Sequence, residues 1–212
     1  MFFKEWPILI VDDEPNVLRV SELAMRNWVV YGSPLKIHTA LSKAEAIDLL
    51  STKLARQTEG IGLLAVAFID VVMETDTAGL ELCAHIREAM NNKLTQIYVR
   101  TGQPGIAPER SVIDRYDING YFTKVEATED KLYTLVKSGV RQFYFMMSSL
   151  GLYTLLNMAI AAGLQSREQM ERTLMALVSG MEQTAEGGER GIDRPKNVGV
   201  DRWEARSKVR PR

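Results

Sequence analysis

The chain has 212 residues, with 26 Lys plus Arg against 27 Asp plus Glu and a formal net charge of −1. At roughly 150 residues per domain this length fits one domain and part of another, and 46% apolar residues are enough for an ordinary core. The balanced charge argues against a whole-chain polyanion binder, while the single cysteine, Cys83, excludes a disulfide framework or multi-cysteine zinc site and fits a reducing compartment.

Met1 to Ile10 is interrupted by Lys4, Glu5 and Pro7, and Asp12 and Asp13 follow at once, so no signal peptide is expected. Trp6 to Val11 reads as a buried strand ended by acids. Pro15 to Val29 reads as a helix, with Pro15 suited to the first turn. Gly32 to Pro34 is a turn and Leu35 to Ala40 a second strand. Ser42 caps a helix through Leu50, with Glu45 three residues on as a capping box. Thr52 to Gly62 is a polar loop. Leu63 to Ile69 is a nearly continuous apolar run ending in Asp70, the pattern of a strand covered on both faces. A helix around Gly79 to Met90 follows. Thr95 to Thr101 is the fourth strand, Pro108 to Tyr116 a short helix and Gly120 to Thr123 the fifth strand. Thr128 caps a long last helix.

Five alternations of strand and helix predict an α/β fold: a five-stranded parallel sheet, doubly wound, with a C-terminal helical extension. In such folds ligands bind beyond the carboxyl ends of the strands. Asp12, Asp13, Asp70, Thr101 and Lys124 all fall at those ends. Three carboxylates at one sheet edge repel each other unless a cation neutralises them. Mg2+ takes hard oxygen ligands and keeps waters, so a carboxylate cluster plus a phosphate oxygen suits it. Asp70, last on a rigid strand, is placed to attack a phosphoryl group, with the Thr101 hydroxyl and the Lys124 ammonium available for the developing charge.

The segments ILIVDDEPNV, AFIDVVMETDTAGLEL, YVRTG and GYFTK resemble the receiver domain of bacterial two-component response regulators, over residues 6 to 142. The resemblance implies a flavodoxin-like receiver fold with Asp70 as phosphoacceptor. It also implies Mg2+ held by Asp12, Asp13, Asp70 and the Val72 backbone carbonyl, Thr101 and Tyr121 as switch residues, and Lys124 as the phosphate-pairing lysine. A histidine kinase or phosphotransfer protein is the implied partner, and the cytoplasm the implied location. Three positions depart from the receiver pattern: Glu74 follows Met73 where proline is common, Gly79 lies nine residues after the acceptor instead of eight, and Val125 replaces a proline after Lys124.

VVMETDTAGL, RTGQPGIAPER and YDING resemble a narrower group, in which the receiver precedes a domain of unknown function and often a cyclic-dinucleotide phosphodiesterase, diguanylate cyclase or histidine kinase output. The expected division is a receiver over residues 1–142, a helical extension resembling the start of that second domain over 143–184, and a disordered tail over 185–212. The tail has four glycines, two prolines and eight Arg or Lys, without apolar period. The chain is expected to hold no output module, as a truncated or frame-shifted form of a longer regulator would, and so to have no cyclase, phosphodiesterase or kinase activity.

Gln142 to Ser166 is a run of 25 residues without Asp, Glu, Lys, Arg or His, long enough to cross a bilayer. Ser148, Ser149, Thr154, Asn157 and Gly151 lower its hydropathy, and a buried or dimer-forming helix explains it without a membrane. Leu152, Leu155, Leu156 and Ile160 would form the dimer face. His38, His85 and Cys83 read as packing residues, and no nucleic-acid partner is expected from the basic tail. The competing class is a phosphate-independent interaction or dimerisation protein; the complete set of Asp12, Asp13, Asp70, Thr101 and Lys124 favours the phosphorylated receiver.

Overall fold

Side chains along the central strands alternate between two faces, and the fold covers both. The computed structural model describes residues 4–54, 64–102 and 109–163, with 171, 172, 174–176, 178 and 179 beyond. The elements are β1 (Trp6–Val11), α1 (Pro15–Met25), β2 (Val29–Val30), β3 (Ser33–Ala40), α2 (Lys43–Thr52), β4 (Val66–Asp70), α3 (Ala78–Ala84, continued as a π turn His85–Ala89), β5 (Gln96–Thr101), α4 (Glu109–Tyr116), β6 (Gly120–Thr123) and α5 (Glu129–Gly163). A 3-10 turn, Lys124–Glu126, follows β6. The sheet order is β2-β3-β1-β4-β5-β6, and β3-β1-β4-β5-β6 are mutually parallel. The expected five-stranded parallel sheet is present.

On one face Leu9, Val11, Ile69, Ile97 and Val99 pack with Leu49, Leu82 and Val112 from α2, α3 and α4. On the other, Trp6, Ile8, Ile10, Phe68 and Tyr98 pack with Leu18 of α1 and Val136, Val140 and Phe143 of α5. Burial of each such large side chain contributes about 1.5–3 kcal/mol.

Several boundaries differ from the sequence reading. The first helix ends at Met25, not Val29, because Val29 and Val30 pair antiparallel with Pro34 and Ser33. Tyr31 and Gly32 both have positive φ, 49° and 75°, and close this hairpin as a two-residue loop. Trp6 Nε1 donates to Val30 O at 2.7 Å, fixing the added edge strand to the core. Ser42 Oγ accepts from Glu45 N at 3.1 Å as expected, but Glu45 reaches back to Leu41 N at 2.8 Å, one residue further than a capping box requires. Thr128 Oγ1 accepts from Lys131 N at 3.3 Å, giving the expected cap on α5.

Two compact units divide the chain, Met1–Asn157 and Met158–Arg212. The boundary expected at residue 142 falls within α5. In the first unit α5 buries Leu132, Val136, Val140 and Phe143, whereas Leu152, Tyr153, Leu155 and Leu156 are exposed. In the second, Met158 and Ile160 are exposed. No helix among the described residues is long and apolar enough to cross a membrane. The 185–212 tail, most of the Thr52 to Gly62 loop, Leu63 and Pro108 lie outside the described residues.

Cys83 is fully buried, and that burial pushes its thiol up to about 12. A thiol needs its thiolate to react. Native protein at pH 8 is therefore expected to resist an aromatic disulfide reagent until denaturant is added; prompt labelling of folded protein would contradict the core packing.

Candidate functional site

Parallel strands bring their carboxyl ends to one edge, and that edge gathers the charged residues. Asp12 follows β1, and its amide donates to Ala40 O at the end of β3, 3.1 Å away. Asp70 closes β4, Thr101 closes β5, and Lys124 opens the turn after β6. Asp12 and Asp70 are buried and Asp13 is exposed, yet one carboxylate oxygen from each lies within 4.8 Å of the others.

Lys124 ties the cluster together. Its Nζ lies 2.8 Å from Asp70 Oδ2, 3.2 Å from Asp12 Oδ2 and 2.7 Å from Glu14 Oε1. The turn presenting it is held by a capping box: Thr123 Oγ1 accepts from Glu126 N at 3.4 Å, and Glu126 Oε2 accepts from Thr123 N at 2.7 Å. Val125, in the place of the usual proline, is 91% exposed beside it.

The electrostatics follow from burial and pairing. Burial raises the Asp70 carboxyl above the usual range; the Lys124 hydrogen bond opposes this, and the Asp12 charge adds to it. Burial alone would depress the Lys124 ammonium, but its bonds to Asp70 and Glu14 prevail and hold it above its ordinary value. Glu14 is lowered by its bond to Lys124.

The other expected residues sit around this centre. Thr101 is fully buried, with Thr123 as its register partner. Tyr121 is half-buried on β6 against the α2–α4 core face. Val72 is half-buried two residues past Asp70; the Val71 amide before it donates to Arg100 O at 3.0 Å.

The sequence reading missed Arg100. It is 3% exposed, is the register partner of Asp70, and donates through Nη2 to Asp12 Oδ2 at 2.8 Å. The signal was present: an arginine inside the buried run QIYVRT needs a carboxylate partner. Glu74 was read only as a departure, yet its Oε1 accepts from Lys43 N at 2.7 Å and joins the acceptor loop to the start of α2. Gly79 N donates to Val71 O at 3.1 Å, and a Cβ at Gly79 would fall inside the Asp70 carbonyl oxygen.

The donor set fits a hard divalent cation. Three carboxylates converge, and Asp70 Oδ1 is buried without a hydrogen-bond partner among the described residues, an oxygen that a hard cation would coordinate.

The chain carries the fold of the receiver domains of response regulators. It is similar to the signal receiver domain of an HD domain-containing protein from Pseudomonas fluorescens Pf-5, at 18% identity and a TM-score of 0.54 over 66% of this chain and 98% of that one. It is equally similar to a response regulator receiver domain protein from Clostridium thermocellum, at 16% identity and a TM-score of 0.54 over 66% and 98% of the two chains. By sequence it is 37% identical over 138 residues to the 3'3'-cGAMP-specific phosphodiesterase 2 of Vibrio cholerae; the match spans 65% of this chain and 25% of that protein. No protein-family model matches.

Proposed function

We propose that the chain is a phosphorylatable receiver of a two-component phosphorelay, accepting a phosphoryl group on Asp70. The observation that supports this best is the contact of Lys124 Nζ with both Asp70, at 2.8 Å, and Asp12, at 3.2 Å. It joins the three strand-end groups that phosphoryl transfer needs: nucleophile, cation-binding carboxylate and ammonium. One Asp70 oxygen is tied to Lys124 and the other has no hydrogen-bond partner among the described residues, so the carboxylate is oriented yet unsatisfied.

In the transfer an Asp70 oxygen forms a bond to phosphorus while the bond from phosphorus to the donor breaks. The donor atom leaves with the electron pair, and a phosphohistidine donor already protonated on its other ring nitrogen departs as a neutral imidazole. Asp12, Asp13, Asp70 and the Val72 carbonyl would hold Mg2+, which when bound supplies positive charge to the phosphoryl oxygens. Lys124 pairs with a phosphoryl oxygen, releasing Asp70 and keeping Glu14 as its second partner. The Thr101 hydroxyl moves toward the phosphoryl group, and Tyr121 packs more deeply into the space vacated, shifting the population toward an altered α4–β6–α5 face.

The donor in this reading is a histidine kinase or phosphotransfer protein in the cytoplasm. Residues 1–142 act as the receiver, and 143–184 extend it toward a second domain. The exposed Leu152, Leu155, Leu156 and Ile160 support pairing with a second copy. No nucleic-acid or membrane partner is part of the proposal, and no cyclase, phosphodiesterase or kinase activity is assigned to these residues.

Acetyl phosphate with Mg2+ should label the purified protein with acid-labile phosphate, and chelation of the metal should suppress the labelling. Asp70→Asn should abolish it. Asp13→Ala should slow it by about tenfold or more, since it removes a cation ligand and leaves the nucleophile. Labelling that survives Asp70→Asn would overturn the proposal.

A further inference from the structure

We propose that Arg100 is an affinity-setting residue of this pocket: a built-in counter-ion that holds Asp12 and lowers the site's affinity for a divalent cation. The inference rests on the reading of Asp12, Asp13 and Asp70 as cation ligands.

Strand order puts Arg100 where it can do this. β4 lies between β1 and β5, so a long side chain leaving the end of β5 reaches past Asp70 to the end of β1. Arg100 Nη2 donates to Asp12 Oδ2 at 2.8 Å, and Nη1 lies 3.3 Å from Ser21 Oγ on α1. Nε is buried and has no hydrogen-bond partner among the described residues. The guanidinium is thus enclosed between the sheet and α1.

The two cations on Asp12 differ in freedom. Lys124 is 22% exposed and has Glu14 to retreat to at 2.7 Å. Arg100 has no comparable alternative among its hydrogen bonds, since Ser21 alone leaves a buried positive charge without a carboxylate. A divalent cation that takes Asp12 must therefore share it with a fixed positive charge or strand that charge. Each route weakens binding, and neither arises with an apolar side chain at residue 100. The same contact quiets the repulsion between Asp12 and Asp70 before any metal arrives, and the Arg100 charge acts to lower the Asp70 carboxyl.

The test is calorimetric titration of Mg2+ alone into the whole chain, wild type against Arg100→Met. Methionine keeps an apolar stem, and Asp12 retains Lys124 at 3.2 Å and the Glu14 amide at 3.0 Å, so the variant keeps its paired carboxylates. The Mg2+ dissociation constant is expected to fall at least about tenfold in Arg100→Met. In the wild-type protein, which needs no variant to fold, the Arg100 guanidinium nitrogen resonances should shift with the same dissociation constant. Equal or weaker Mg2+ affinity in folded Arg100→Met, or guanidinium signals unmoved at saturating Mg2+, would overturn the proposal while leaving the metal site standing. Absence of Mg2+ binding in both proteins would overturn the metal site and this proposal with it.

Discussion

Gly79→Ala is expected to destabilise the protein by about 2–4 kcal/mol and to remove phosphate acceptance at Asp70 in the same step. The added methyl would overlap the Asp70 carbonyl oxygen and crowd Val71 Cα, and both are backbone atoms. A side chain in the way can rotate; a strand end held by ladder bonds can only be pushed out. Here the Val71 amide bonds Arg100 O and the Val71 carbonyl accepts from Gly79 N, so a shift breaks the loop that aims Asp70. Gly151→Ala is the control. Nothing lies within 4 Å of that Cβ, and alanine in a helix interior should stabilise by about 0.5–1 kcal/mol. Urea denaturation of the two variants measures both changes; similar midpoints would contradict the packing at the acceptor loop.

Lys124→Ala has the second large effect. It removes the ammonium from Asp70, Asp12 and Glu14 at once, and a loss of about 1–3 kcal/mol is expected at pH 7. The pH dependence has a definite sign. Burial already raises Asp70 in the folded protein, and loss of its lysine bond raises it further. A raised carboxyl favours the folded state when protonated and loses that advantage as pH rises through the folded value. The gap in stability between wild type and Lys124→Ala should therefore narrow as pH is lowered from 7 toward the carboxylate range. A gap that widens on acidification would show that the lysine is not paired with Asp70.

The strand-end residues were readable because each closes a segment whose type the sequence makes plain. VAFID is apolar on both faces up to its last residue, and WPILIV is stopped by Asp12. The end of α1 was not readable. Trp28, Val29 and Val30 continue an apolar helical spacing, and the hairpin that captures them depends on Tyr31 taking a positive φ, which is rare for an aromatic residue. The fixed register between β2 and β3, and the Trp6 bond to Val30, decide the matter from outside the segment. The partners of Arg100 and Glu74 were hidden for the same reason. Those partners, Asp12 and Lys43, lie 88 and 31 residues away, so only the strand order brings them together.

Borohydride trapping tests the central claim most directly. Protein phosphorylated with acetyl phosphate and Mg2+ is reduced, digested and sequenced by mass spectrometry, because reduction converts an aspartyl phosphate to homoserine. Homoserine at residue 70, and its loss when Mg2+ is chelated, is the predicted result. Homoserine at another aspartate, or none despite bound phosphate, would contradict Asp70 as the acceptor.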